Sequence, residues 1–167
     1  IEEMLALHRI TPDAWKLNKT IGQIMLRTGK PKEALSYLET AARFRSEDSE
    51  ILMLEGEAQL RLHMRDRAKE TFQKVLSLDQ SSAGAHYNLA RLLSPKSELD
   101  EVLYHYRAAV DYNPFYMPAL YNLANLLFKL GQNNEAELLY RRIIEMTPEV
   151  AGAYNNLGLI LVRSGET

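Results

Sequence analysis

Apolar residues recur along this chain in a helical rhythm that is broken and resumed at regular intervals. Between residues 117 and 150, Leu120, Leu123, Ala124 and Leu127 lie on one face of a helix. The polar break Leu130-Gly131-Gln132-Asn133 follows, and then Ala136, Leu139, Tyr140 and Ile143 form a second face. The pattern predicts a helix, a tight turn and another helix, each with one stripe to bury.

Sliding the sequence on itself by 34 positions brings like residues into columns without an insertion. Gly22, Gly56, Ala90, Ala124 and Gly158 share one column, and Ala34, Ala68, Val102 and Ala136 another. Leu38, Phe72, Tyr106 and Tyr140 form a third. The small residues belong where the two helices of a unit cross, since a larger side chain would hold the backbones apart. A further column holds Gly29, His63, Ser97, Gly131 and Gly165 at the turn, where glycine closes a helix in the left-handed conformation at low cost. His63 there is expected to carry a strain of about 1 kcal/mol if its φ is positive. Pro12, Ser46, Gln80, Pro114 and Pro148 share the column after the second helix, where proline ends a helix for want of an amide donor.

Tyr154-x2-Leu157-Gly158-x2-Leu161, Ala68-x3-Phe72 and Ala136-x3-Tyr140 followed by Pro148 resemble the signature of the tetratricopeptide repeat (TPR) family. The resemblance covers the whole chain. It implies an all-α, right-handed superhelical solenoid of antiparallel helix pairs, here ten helices in a single array. Full repeats are expected at 15–48, 49–82, 83–116 and 117–150, with 1–14 the end of a preceding repeat and 151–167 the first helix of a further one. Both ends fall in mid-repeat, so the intact protein is expected to continue on each side. In the third repeat Ser94-Pro95 stands where the first helix should finish, and Ser97-x-x-Asp100 reads as an N-cap with an acid at the capping-box position. The turn there is expected to shift by a residue or two.

Composition removes several functions. The 167 residues carry 20 Lys+Arg against 22 Asp+Glu, a net charge of -2, and no Cys. Disulfide, thiol and thiolate-metal chemistry are therefore excluded. Arg61, Arg65, Arg67 and Lys69 are interleaved with Glu55, Glu57, Asp66 and Glu70, which suits local ion pairs rather than a one-sided phosphate stripe, so no nucleic-acid partner is expected. Glu98, Asp100 and Glu101 sit at a helix start, where the dipole favours anions. His8, His63, His86 and His105 form no ligand set at helical spacing, and no nucleophile elbow, P-loop or dinucleotide fingerprint is present. The segment is expected to be non-catalytic, with no metal, no cofactor and no direct membrane contact. Asn18-Lys19-Thr20 matches a glycosylation sequon, but Asn18 shares its column with the inner-face residues Leu52, Leu120 and Tyr154 and makes a poor acceptor. The compartment stays open: the cytoplasm is favoured, beside the endoplasmic-reticulum lumen and the periplasm.

The candidate chemistry lies on the first helix of each repeat, which in the resemblance lines the concave groove. The sixth column reads Thr20, Leu54, Asn88, Asn122 and Asn156. An Asn amide is both donor and acceptor and can hold a peptide backbone without reading its side chains. This series is similar to the Asn ladder in the repeats of O-linked N-acetylglucosamine transferase. Beside it stand Met53, Tyr87, Tyr121 and Asn155 in the fifth column, Glu57, Arg91 and Asn125 in the ninth, and Phe128 one turn on. Aromatic and Arg side chains of this kind supply much of the energy at binding hot spots. The carboxylate clamp of chaperone-binding repeats is disfavoured, because Lys19 alone fits while Leu54 and Gly84 stand where Asn and Lys are needed.

The expected function is a scaffold that holds a protein or peptide ligand, extended or helical, mainly through residues 83–159. Two alternatives are a substrate-recruiting arm of a larger enzyme such as a glycosyltransferase, and an architectural module that self-associates.

Overall fold

The computed structural model describes residues 14–93 and 96–164. Among them are nine α-helices and no strand: α1 (Ala14–Arg27), α2 (Pro31–Phe44), α3 (Ser49–Arg61), α4 (Arg65–Leu78), α5 (Ala83–Leu92), α6 (Leu99–Tyr112), α7 (Met117–Lys129), α8 (Asn133–Met146) and α9 (Ala151–Ser164). Apart from Ala14, which opens α1, the tenth helix expected over 1–14 lies outside the described residues, as do His8, Pro12, Ser94-Pro95 and Gly165.

The chain divides into two compact units, one up to Leu92 and one from Leu93. In the first, α1 packs on α2, α2 on α3, α3 on α4 and α4 on α5. In the second, α6 packs on α7, α7 on α8 and α8 on α9. The cores are thin and local. Leu26, Ala34, Leu35, Leu38 and Ala58 form one cluster with Leu54 at its edge, and Leu52, Ala68, Phe72, Val75, Ala85 and Leu89 form another. Each large side chain buried in this way contributes roughly 1.5–3 kcal/mol, so every interface between neighbouring helices carries its own share of stability.

The small-residue column behaves as expected in the first unit. A Cβ on Gly22 would lie 2.6 Å from the Leu38 side chain, and one on Gly56 2.6 Å from the Phe72 ring. At Gly158 nothing lies within 4 Å, and Tyr154 is 48% exposed rather than packed like Leu52 and Leu120. Among the described residues no second helix follows α9 to cover this face.

Three turns share one geometry. Gly29 (φ 74°), His63 (φ 59°) and Gly131 (φ 76°) are all left-handed. In each, the next residue's amide donates to a carbonyl five residues back: Lys30 to Met25 at 2.8 Å, Met64 to Gln59 at 2.9 Å and Gln132 to Leu127 at 2.9 Å. These bonds satisfy carbonyls that the helix end leaves open.

The third repeat differs from expectation. The second helices begin at Pro31, Arg65, Leu99 and Asn133, in unbroken phase, so the turn does not displace α6. The deviation is confined to the first helix: α5 stops at Leu92, three residues short of the position that α3 and α7 set. The sequence supplies a reason in Pro95: a helix continued through it would set a proline ring against the carbonyl four residues back and force helical geometry on the residue before it. The N-cap of α6 is Glu98 rather than Ser97, and the Glu98 side chain makes no capping bond. Proline is also not required to end the second helices: α2 and α4 end at Phe44 and Leu78, in register with α6 and α8.

Candidate functional site

In the first unit the expected wall is carried by α3 and α5. Met53 is half-buried, with its methyl group 2.9 Å from the place a Cβ on Gly84 would take, and Ser82 Oγ lies 3.9 Å from its sulfur. Thirty-four residues earlier in the same column, Lys19 is ion-paired with Glu50. A fifth-column side chain thus lies on the second position of the following repeat, whatever its chemistry. Arg91 stacks over Tyr87 at 5.3 Å and donates to Asn88 Oδ1 at 3.3 Å, a planar cation held over an aromatic face. Glu57 is paired with Arg61, which also reaches the Leu26 carbonyl. Arg67 pairs with Glu39 at 2.9 Å, and Arg65 donates to the Leu92 carbonyl at 2.7 Å.

In the second unit the wall is built by α7 and α9. The Tyr121 hydroxyl lies 2.2 Å from where a Cβ on Gly152 would stand, repeating the arrangement of Met53 and Gly84. Arg163 lies over the Phe128 ring at 5.1 Å. Asn122 Nδ2 approaches the Tyr106 hydroxyl at 3.4 Å. Asn156 Nδ2 donates to the Tyr140 hydroxyl at 3.1 Å and to Asn125 Oδ1 at 2.9 Å, and Tyr140 donates to Asn125 Oδ1 at 2.7 Å. Asn155 Nδ2 is 3.5 Å from Asn156 Oδ1. Neither α7 nor α9 contains an acidic residue, and their charges are Lys129 and Arg163 in the last turns.

Burial is the largest cause of the shift at three titratable groups. Burial lowers the His86 pKa, against the raising effect of the Gln80 carbonyl 3.1 Å from Nε2. Burial also raises Glu55, with Glu39 adding to the effect and Arg67 and Lys74 opposing it. Tyr140 is raised by burial, the Asn156 hydrogen bond opposing and nearby Tyr121 adding. Among the described residues no three His, Asp or Glu side chains gather to hold a metal, and no helix is long and apolar enough to cross a membrane. Asn18 is half-buried in α1 and donates to the Ala14 carbonyl at 2.7 Å.

A tetratricopeptide repeat family model matches residues 96–157. The structure is similar to that of MamA (residues 41 to the end) from Desulfovibrio magneticus RS-1, with 30% identity, a TM-score of 0.75, and coverage of 92% of this chain and 87% of that one. The chain belongs to the tetratricopeptide repeat family. A second MamA structure superposes with a TM-score of 0.75 at 22% identity over 93% of this TPR chain and 85% of its own. YrrB, described as a TPR protein with an unusual peptide-binding site, gives a TM-score of 0.70 at 19% identity over 89% and 77%. No curated protein sequence matches significantly. The fold is that of a TPR protein-interaction scaffold.

Of the wall residues singled out in the sequence of this TPR chain, Tyr121, Asn122, Asn125, Phe128, Asn155 and Asn156 belong to α7 and α9 of the second unit. Met53, Glu57, Tyr87, Asn88 and Arg91 belong to α3 and α5 of the first. Sequence reasoning missed Tyr106 and Tyr140, whose hydroxyls hold the ladder amides, and Gly84 and Gly152, on which Met53 and Tyr121 lie. The signal was present: each tyrosine of the second-helix column precedes an Asn of the ladder by 16 positions.

Proposed function

We propose that this chain is a non-catalytic scaffold that holds an extended peptide segment of a partner protein against the first helices of its repeats, with boundaries at 15–48, 49–82, 83–116 and 117–150. The contacts in the first unit are Met53, Glu57, Tyr87, Asn88 and Arg91. In the second they are Tyr121, Asn122, Asn125, Phe128, Asn155 and Asn156. The observation that carries the reading is the α7–α9 wall: amides and aromatic rings side by side, half-exposed, with no carboxylate among them. Amides pair with peptide N–H and C=O groups, rings cover apolar side chains, and the cations at the helix ends tolerate or attract an acidic flank. Selection of random 12-residue peptides displayed against the intact protein tests the reading. The expected outcome is enrichment of peptides whose affinity falls about tenfold in Phe128→Ala or Asn155→Ala, a loss of about 1.4 kcal/mol. No enrichment, or binding indifferent to both substitutions, overturns it.

A further inference from the structure

Tyr140 is fully buried, and its hydroxyl closes a triangle with two amides of the wall. A phenol has one hydrogen to give, and an amide nitrogen has two. Tyr140 gives its hydrogen to Asn125 Oδ1, while Asn156 Nδ2 donates toward Tyr140 Oη and Asn125 Oδ1, which lie on the same side of it. The Asn125 carbonyl thereby accepts from two donors, and the Asn156 amide is held with its nitrogen turned into the triangle. What remains is complementary: the Asn125 NH2, which has no partner among the described residues, and Asn156 Oδ1, approached only by Asn155 Nδ2 at 3.5 Å.

The triangle has a mirror polarity, with Asn125 as the double donor and Asn156 as the double acceptor. The structure holds the first polarity, with Asn155 Nδ2 3.5 Å from Asn156 Oδ1. Elsewhere the arrangement is weaker or missing. Asn122 meets the Tyr106 hydroxyl at 3.4 Å, and at Asn88 the corresponding residue of the preceding repeat is Phe72, which has no hydroxyl.

We infer that Tyr140 is a positioning residue of the peptide groove. It fixes the two amides so that Asn125 donates to a backbone carbonyl of an extended peptide while Asn156 accepts from a backbone N–H. The inference rests on the peptide-groove reading above and adds to it the direction in which the ligand backbone is read at this point.

The test uses the tightest peptide from the 12-residue selection, synthesised with each backbone amide replaced in turn by an ester, which removes one N–H and weakens one carbonyl as acceptor. Wild-type protein is expected to lose about tenfold in affinity at one or two adjacent positions. Tyr140→Phe is expected to bind the parent peptide about tenfold more weakly and to lose most of the ester penalty there, which a packing defect alone would not produce. Unchanged affinity and an unchanged ester profile in Tyr140→Phe overturn the inference. Asn125→Asp covers the case in which Tyr140→Phe fails to melt cooperatively. It keeps an oxygen for Tyr140 and Asn156 and replaces the outward NH2 by an acceptor that also carries a negative charge, so affinity is measured at low and at high salt to separate the two. A loss of about tenfold or more in Asn125→Asp that persists at high salt supports the assignment, and equal affinity or a loss that vanishes at high salt overturns it. If no peptide is enriched, the groove reading fails first and the inference falls with it. If peptides bind and depend on Phe128 but not on Tyr140 or the Asn125 donor, only the inference falls.

Discussion

The hydroxyl of Tyr121 occupies the space above Gly152, 2.2 Å from the position a Cβ would take. Gly152 lies in the first turn of α9, where its lack of a side chain lets the Tyr121 ring lie along the wall. Gly152→Ala is therefore expected to push the ring aside. The obstacle is the far end of a flexible side chain, and alanine favours helix by up to about 1 kcal/mol, so stability should change little. Groove affinity for a selected peptide should fall several-fold, and aromatic NMR shifts of Tyr121 should move. Unaltered shifts would show that the ring does not rest there.

Gly56 and Gly158 occupy the same column with opposite consequences. Gly56→Ala places a methyl group 2.6 Å from the Phe72 ring and should cost about 1–3 kcal/mol in urea unfolding by overpacking. Gly158→Ala meets nothing within 4 Å and should gain about 0.5–1 kcal/mol from helix propensity. Equal effects at the two sites would contradict the packing described.

His63 holds the left-handed conformation that Gly29 and Gly131 hold in the equivalent turns. Its side chain is exposed, so little contact energy opposes replacement. His63→Gly should raise stability by about 1 kcal/mol, measured as a higher urea midpoint at an unchanged slope.

Two buried groups set opposite pH slopes. The folded state lowers His86 below its ordinary 6.5, so the unfolded chain binds more protons, and this contribution to stability is lost as pH falls through 6.5 toward the folded value. Glu55 is raised above 4.5, so its contribution is present below 4.5 and is lost as pH rises through the folded value. Glu55→Gln retains an acceptor for Gln59 Nε2, which now donates to Glu55 Oε1 at 2.9 Å. The variant should exceed wild type in stability at neutral pH and converge on it toward pH of about 4. A gain that persists undiminished in acid would assign the effect to packing instead.

Much of this architecture is legible from residue columns. The recurrence of Gly22 and Gly56 against Leu38 and Phe72 foretells the helix crossings, and Gly29, His63 and Gly131 foretell the turns down to the sign of φ. The shortened α5 is harder to read, because the effect of Pro95 is felt at earlier residues, whereas the anomaly in the columns is at Ser97. The triangle at Tyr140 is harder still. Each column read alone offers Tyr as core and Asn as ligand contact, and only their separation of 16 positions joins them across a repeat boundary. The direction of an amide depends on which hydrogens its neighbours give, a three-body property that no column records.

The pairing of the second-helix column with the ladder also fixes the order of the repeats. Leu38 is matched by apolar Leu54, whereas Tyr106 and Tyr140 are matched by Asn122 and Asn156. A chimaera that set the 117–150 repeat before the Leu54 helix would keep the bond from Tyr140 to Asn125 but lose those that Asn156 donates, a cost of about 0.5–1.5 kcal/mol for each. Modules that look interchangeable by backbone are therefore keyed to their neighbours, and permuting them would fail at the junctions while leaving every individual repeat intact.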